Sequence, residues 1–134
     1  MAVNAQLDTT LTLTVDGNAY SGNIIDGAIT PASTSRGRIV TTADGSTIRD
    51  IGDAEDGTIR GSCYKDTTAT GITRGLQAAE GTTVAYIYAE TDGTTTSTWS
   101  GNCYVPAQTI DFTPGKYGRH QFELVLETSS VAYT

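Results

Sequence analysis

The run from Gly81 to Val105, GTTVAYIYAETDGTTTSTWSGNCYV, constrains the fold more than any other stretch of the chain. Two β-rich segments flank Asp92-Gly93. An Asp-Gly step in that setting is a strong hairpin signal, because glycine takes a positive φ without steric cost. Side chains alternate along a strand. Val84, Tyr86 and Tyr88 therefore share one face of the outgoing strand, and Ala85, Ile87 and Ala89 share the other. On the return strand Trp99, Gly101, Cys103 and Val105 face together, opposite Ser100, Asn102 and Tyr104. A hairpin of this kind needs further strands to bury its apolar side.

Those strands are recognisable. Leu11, Leu13 and Val15 alternate with Thr10, Thr12 and Thr14, the pattern of a half-buried strand. Asp16-Gly17-Asn18 turns the chain, and Ala19 to Thr30 is expected to return as a second, less regular strand of the same hairpin, bent at Gly22 and Gly27. Thr58 to Lys65 places Ile59, Gly61 and Cys63 on one face. Gln108 to Thr113 gives a brief strand, Pro114-Gly115 a turn, and Tyr117 to Thr128 a strand with Phe122, Leu124 and Leu126 toward the core. His120, Gln121, Glu123, Val125 and Glu127 are expected to flank or oppose that core face, and Val131 and Tyr133 to form a small extra strand or a frayed end. One helix, at about residues 70–80, follows from Ile72, Leu76 and Ala79 at helical spacing, with Thr68 or Thr70 as its cap and Gly81 just past its end. The fold class is mainly β: an antiparallel β-sandwich or barrel with one short helix, read as a single domain over residues 1–134.

Residues 31–57 differ in character. A small polar run, Ala32-Ser33-Thr34-Ser35, precedes Arg36 and Arg38, and a turn at Asp44-Gly45 leads through Ile48 and Ile51 to the acidic residues Asp50, Asp53, Glu55 and Asp56. Apolar anchors are too few to fold this segment tightly onto a core. Long, weakly anchored segments inside compact domains are usually functional or disordered. We read it as a loop or hairpin arm that orders against a partner.

Charge and motif content narrow the function. The formal charge is −7 with only eight Lys and Arg, so the chain lacks the cations that a duplex-gripping protein uses to displace counterions. The start, MAVNAQLDTT, has neither the basic nor the apolar region of a signal peptide, and no apolar run reaches spanning length. Cys63 and Cys103 are expected as free buried thiols, with a disulfide between neighbouring strands as the alternative. No ligand spacing supports a metal site, and no cofactor is indicated. His120, the single histidine, has no nucleophile near it in sequence and reads as an exposed or half-exposed strand residue. Neither a Gly-x-Ser-x-Gly elbow nor a phosphate loop occurs. Tyr64, Tyr86, Tyr88, Trp99 and Tyr104 could form a sugar platform, although cross-strand packing is the commoner use of strand aromatics. No catalytic residue is assigned.

From Arg60 to Val131 the order of elements resembles the major tail tube proteins of long-tailed, lambda-like bacteriophages (siphophages). The resemblance rests on Gly61-Ser62-Cys63-Tyr64, then Asp66, a helix with Leu76, Gly81, the strand Val84 to Ala89, the Asp92-Gly93 turn, Trp99-Ser100-Gly101, and a final strand from Phe122 to Ser130. Thr47 to Gly57 is similar to the acidic segment that precedes these elements in such proteins. The paired Gly-x-Cys-Tyr segments depart from the pattern, and the chain is short for the family. The resemblance implies a virion structural protein whose homohexameric rings stack into a tail tube, a conduit for genome ejection. It also implies association with other phage tail proteins, passage of DNA without sequence-specific binding, no membrane partner, and assembly in the host cytoplasm. Six copies of −7 would place about −42 formal charges on each ring. Arg36, Arg38 and Arg119, with the acidic residues Asp50, Asp53, Glu55 and Asp56, are the expected inter-subunit or ring-stacking residues. The alternatives are a capsid decoration or other virion structural protein, a carbohydrate-binding β-sandwich module, and an enzyme assembled around His120.

Overall fold

The computed structural model describes residues 5–32, 36–52 and 56–134. The hairpin at Gly81–Val105 is its centre: β7 (Thr83–Thr91) pairs along its whole length with β8 (Thr96–Tyr104), with Tyr88 opposite Trp99. Gly93 has φ of 94°, and the Asp92 carboxylate accepts from the backbone N–H of Thr94 and Thr95, closing the turn. Outside β7 lies β1 (Thr10–Val15), then β2 (Asn18–Tyr20), joined through Asp16-Gly17 with both residues at positive φ.

The other half of the sheet is built on β6 (Gly57–Tyr64), which lies between β10 (Arg119–Leu126) and β3 (Ile24–Thr30), while β9 (Thr109–Asp111) adds to one end of β10. Here the structure corrects the expectation for Ala19–Thr30. The segment is two strands, not one. β2 stays with β1, the ladder breaks at Ser21–Asn23, and β3 crosses to pair with β6. The crossing depends on facing glycines. Gly27 lies opposite Gly61, and a Cβ on Gly61 would collide with the Asp26 carbonyl and the Phe122 ring. A Cβ on Gly27 would meet Leu11 and Tyr88 of the other half. β3 thus comes close to β1 without a ladder between them, so the sheet folds over on itself but does not close into a barrel.

A single bent strand joins the halves. β10 and β11 (Ser130–Tyr133) both pair with β8, Leu126 opposite Cys103 and Ser130 opposite Ser100. Four steps on one strand against three on the other make a one-residue bulge at Glu127–Ser129, and a bulge bends its strand. The Thr128 hydroxyl accepts from Asn102 N–H at the bend. Val131 and Tyr133 are thus strand residues.

Between the halves lies one buried cluster. Leu13, Val15, Tyr86, Tyr88, Cys103 and Val105 come from one side, and Ile59, Cys63, Phe122, Leu124 and Leu126 from the other. The helix α1 (Ile72–Ala79) adds Ile72 and Leu76, as its spacing predicts. Its start differs from expectation: the N-cap is Gly71, with no side-chain cap. The carbonyl of Asp66 accepts from Thr73 and Arg74 N–H in place of a capping side chain, and the Thr68 hydroxyl is already donated to the Asp66 carboxylate. Gly81, at φ 80°, ends the helix.

Residues 36–52 form a hairpin of their own, β4 (Arg36–Thr41) and β5 (Thr47–Gly52), with Gly45 at φ 85° in its turn. This hairpin shares no ladder with the main sheet among the described residues. The Asp44 carboxylate accepts from the Thr42 hydroxyl and Ser46 N–H, and these bonds hold it down to about 2.

Candidate functional site

His120 shares parity with Phe122, Leu124 and Leu126, so β10 turns it into the core, where it is fully buried. This corrects the reading of an exposed strand residue. Parity decides the matter, because the imidazole finds partners for both nitrogens. The Gln108 amide group donates to the carbonyls of Pro106 and Glu123, leaving its Oε1 to accept from Glu123 N–H and from His120 Nε2 at 3.1 Å. The neutral Nδ1 then accepts from the Thr73 hydroxyl, also at 3.1 Å, and Thr73 Oγ1 accepts from Asp66 N–H. Burial pushes the His120 pKa below its ordinary value, with Glu80 opposing weakly. A neutral histidine with both nitrogens occupied and no solvent access ties the helix to the sheet; it has no free face for a substrate.

The two thiols are free and fully buried. Cys63 lies opposite His120 and Cys103 opposite Leu126, six residues apart along β10. At about 3.3 Å per residue that is about 20 Å, far beyond the reach of a disulfide. Burial, helped by Asp66 for Cys63 and Glu127 for Cys103, pushes both thiols up to about 11. Among the described residues no group of three His, Cys, Asp or Glu could hold a metal ion, and no helix is long and apolar enough to cross a membrane.

The expected assembly residues fall in two places. Arg36, Arg38 and Asp50 lie on the β4–β5 hairpin, with Arg38 directly opposite Asp50. Asp56 is exposed at the foot of that hairpin, just before β6; Asp53 and Glu55 lie outside the described residues. Arg119 is elsewhere. It pairs with Tyr64 at the far end of β6, whereas the hairpin departs from the Gly57 end. Seven residues of strand, about 23 Å at 3.3 Å per residue, separate the two locations. The hairpin foot is pinned: Ala32 N–H donates to Ser129 Oγ, which also bonds Tyr86 Oη at 2.8 Å.

Two surfaces escape inspection of the sequence. The first is the outer face of β1, β7, β8 and β11. The registers align Thr12, Ala89, Thr98 and Ala132 in one row and Thr14, Ile87, Ser100 and Ser130 in the next. No charged residue occurs on this face, in a chain of net charge −7. The opposite outer face carries the Arg60–Glu123 ion pair at 3.0 Å together with Asp26, Asp111 and Arg119. The second surface is an aromatic and cationic patch around Tyr64. Of the five aromatics considered above, Tyr86 and Tyr88 are buried, Trp99 packs edge-on against Tyr88, and Tyr64 and Tyr104 are exposed. Parity indicates the outward direction of Tyr64 and Tyr104, but not the neighbours that gather at the end of the sheet.

The sequence matches no family model and no curated protein. The fold does have counterparts among solved structures. A chain of the cryo-EM structure of the anti-feeding prophage cap, described as terminating that particle's tube, superposes with a TM-score of 0.70 over all of this chain and 95% of its own, at 13% identity. A chain of the virion of a native gene transfer agent particle superposes with a TM-score of 0.59 over 92% of this chain and 95% of its own, at 12% identity. At such identities the likeness is one of fold.

Proposed function

We propose that this chain is a structural subunit of a phage-tail-like particle, self-associating into stacked six-membered rings that form a tail tube through which DNA passes during genome ejection. The observation that carries this reading is the coextensive likeness to a chain of a tube-terminating cap, over all of this chain and 95% of that one. Two features support it. The uncharged Thr/Ser/Ala face suits a bore, since it offers a passing polyanion neither phosphate-gripping cations nor strong repulsion. The separate β4–β5 hairpin suits a contact made with a neighbouring subunit.

A second reading, a cap that ends a tube, is favoured by the description of the same neighbour. Negative-stain microscopy of purified protein across a concentration series separates the readings. Tubes support the tube subunit and isolated rings support the cap. Trimers point to a decoration protein, and monomers that bind glycans to a carbohydrate module. Replacing Ala32–Asp56 by a short Gly/Ser linker is expected to leave the β-sheet folded by circular dichroism and abolish tube growth. Normal polymerisation of that variant would remove the arm from the mechanism.

A further inference from the structure

Two of the eight basic residues, Lys65 and Arg119, gather with three exposed aromatics at the Tyr64 end of β6, and a third, Lys116, directly precedes Tyr117. Tyr117 is 85% exposed and Phe112 79%. Lys65 Nζ lies 5.6 Å from the centre of the Phe112 ring, and Arg119 Cζ lies 5.2 Å from that of Tyr64. Tyr117 packs edge-on against Tyr64 at 5.9 Å. Asp111 is directly opposite Arg119 in the β9–β10 ladder, yet its carboxylate is taken by Gln121 Nε2 at 3.0 Å, while the Arg119 guanidinium stays over the ring. Among the described residues the one ion pair is Arg60–Glu123, so no described carboxylate stands within 4.0 Å of these three cations.

Exposed rings of this size are costly on a monomer, and aromatic and Arg side chains are enriched at protein contacts. Resting on the self-assembly reading above, we infer that this patch is a contact surface for an acidic surface of a second copy of the chain. Charge complementarity selects that occupant: cations without described partners sit on one spot of a molecule whose net charge is −7, so every other copy presents carboxylates in excess. Nucleic acid is the weaker fit. A stacking platform presents successive free ring faces, and here Lys65 and Arg119 each lie over one face of Phe112 and Tyr64. Where the patch and the acidic surface it meets lie in separate interfaces the contact is head-to-tail, and such contacts either close into rings or propagate.

The test compares wild type with Lys116→Glu/Arg119→Glu and with Arg60→Glu/Arg74→Glu, a control of the same net charge that leaves the patch intact. Circular dichroism checks folding, and sedimentation velocity gives the concentration of half-assembly. The patch variant is expected to raise that concentration about tenfold or more and the control about threefold or less, with the difference shrinking at high salt. In assembled mixtures of 15N-labelled and unlabelled protein, carbodiimide cross-linking is expected to join Lys65 or Lys116 to carboxylates of the other copy. Equal half-assembly of the two variants, or cross-links from these lysines only within one copy, overturns the inference and leaves self-assembly standing. A wild type that remains monomeric throughout removes both. Binding of a dT20 oligonucleotide that the patch variant alone loses, with assembly unchanged, also overturns it and gives the patch to nucleic acid.

Discussion

Replacing His120 by leucine tests whether the buried relay between helix and sheet contributes as the geometry implies. The substitution removes two hydrogen bonds, to Thr73 and Gln108, each worth about 0.5–1.5 kcal/mol net. It also leaves the Thr73 hydroxyl proton without an acceptor in a residue of 0% exposure, at about 1–3 kcal/mol. The gain from an apolar side chain offsets part of this, so the expected loss is about 2–4 kcal/mol. At about 2.1 cal/mol/K per residue, the unfolding entropy of a 134-residue chain converts each kcal/mol into about 3.6 °C, so Tm should fall by about 7–14 °C. The pH dependence is a second readout. Burial lowers the folded-state pKa of His120, so between that value and the unfolded pKa of about 6.5 the unfolded chain holds the extra proton. The neutral-histidine contribution is complete above about pH 6.5 and is lost as pH falls through the window, at up to about 1.4 kcal/mol per unit. Carboxylates titrate nearby in pH, but they are common to both proteins, so the difference between urea-denaturation profiles of wild type and variant isolates the histidine. Wild type is expected to lose its advantage progressively below pH 6.5. Equal stabilities at pH 7.5, or parallel profiles down to pH 5, would refute both the relay and the neutral state of His120.

Removing the Tyr86 hydroxyl (Tyr86→Phe) deletes the bonds to the Thr128 carbonyl and Ser129 Oγ; it should cost about 1–2 kcal/mol and speed amide exchange at Ala32, whose N–H depends on Ser129. Unchanged exchange there would show that the hairpin foot is held by something else. With both thiols buried and raised to about 11, native protein at pH 8 should react with a disulfide reagent at about a hundredth of the unfolded rate or less, and rapid stoichiometric labelling would contradict the burial.

The parts of the fold that were legible in the sequence are those specified by local alternation. Tyr86 and Tyr88, or Phe122, Leu124 and Leu126, declare their face because a strand has a period of two. His120 was equally legible by parity; its polarity argued against burial, and only the distant Gln108 and Thr73 remove that objection. The departure of β3 from β2 was not legible. Gly22 signals a break, but the destination is fixed by Gly27 meeting Gly61 across 34 positions of sequence, which no local pattern encodes. The helix start failed for a similar reason: the helix begins beyond Thr68 and Thr70, with Gly71 as N-cap, and its first-turn N–H groups donate to the Asp66 carbonyl of the preceding loop. The cationic patch gathers Tyr64, Phe112 and Tyr117 through topology alone.

β6 sets the distance between the two contact regions proposed above. Its Gly57 end adjoins Thr30 and Ala32 so tightly that a Cβ there would collide with their backbone, and the hairpin leaves from that point. Its Tyr64 end carries Arg119 and the aromatics. Between them the strand is buried on both flanks by β3 and β10 and on its inner face by Ile59 and Cys63, a rigid spacer of about 23 Å. Two chemically unlike poles held at a fixed separation favour repetition in one direction: a neighbour that seats on one pole leaves its own opposite pole presented to the next. A two-fold dimer with the axis through the patch would bring Lys65, Lys116 and Arg119 of one copy against the same three cations of the other, and that repulsion argues against such an arrangement.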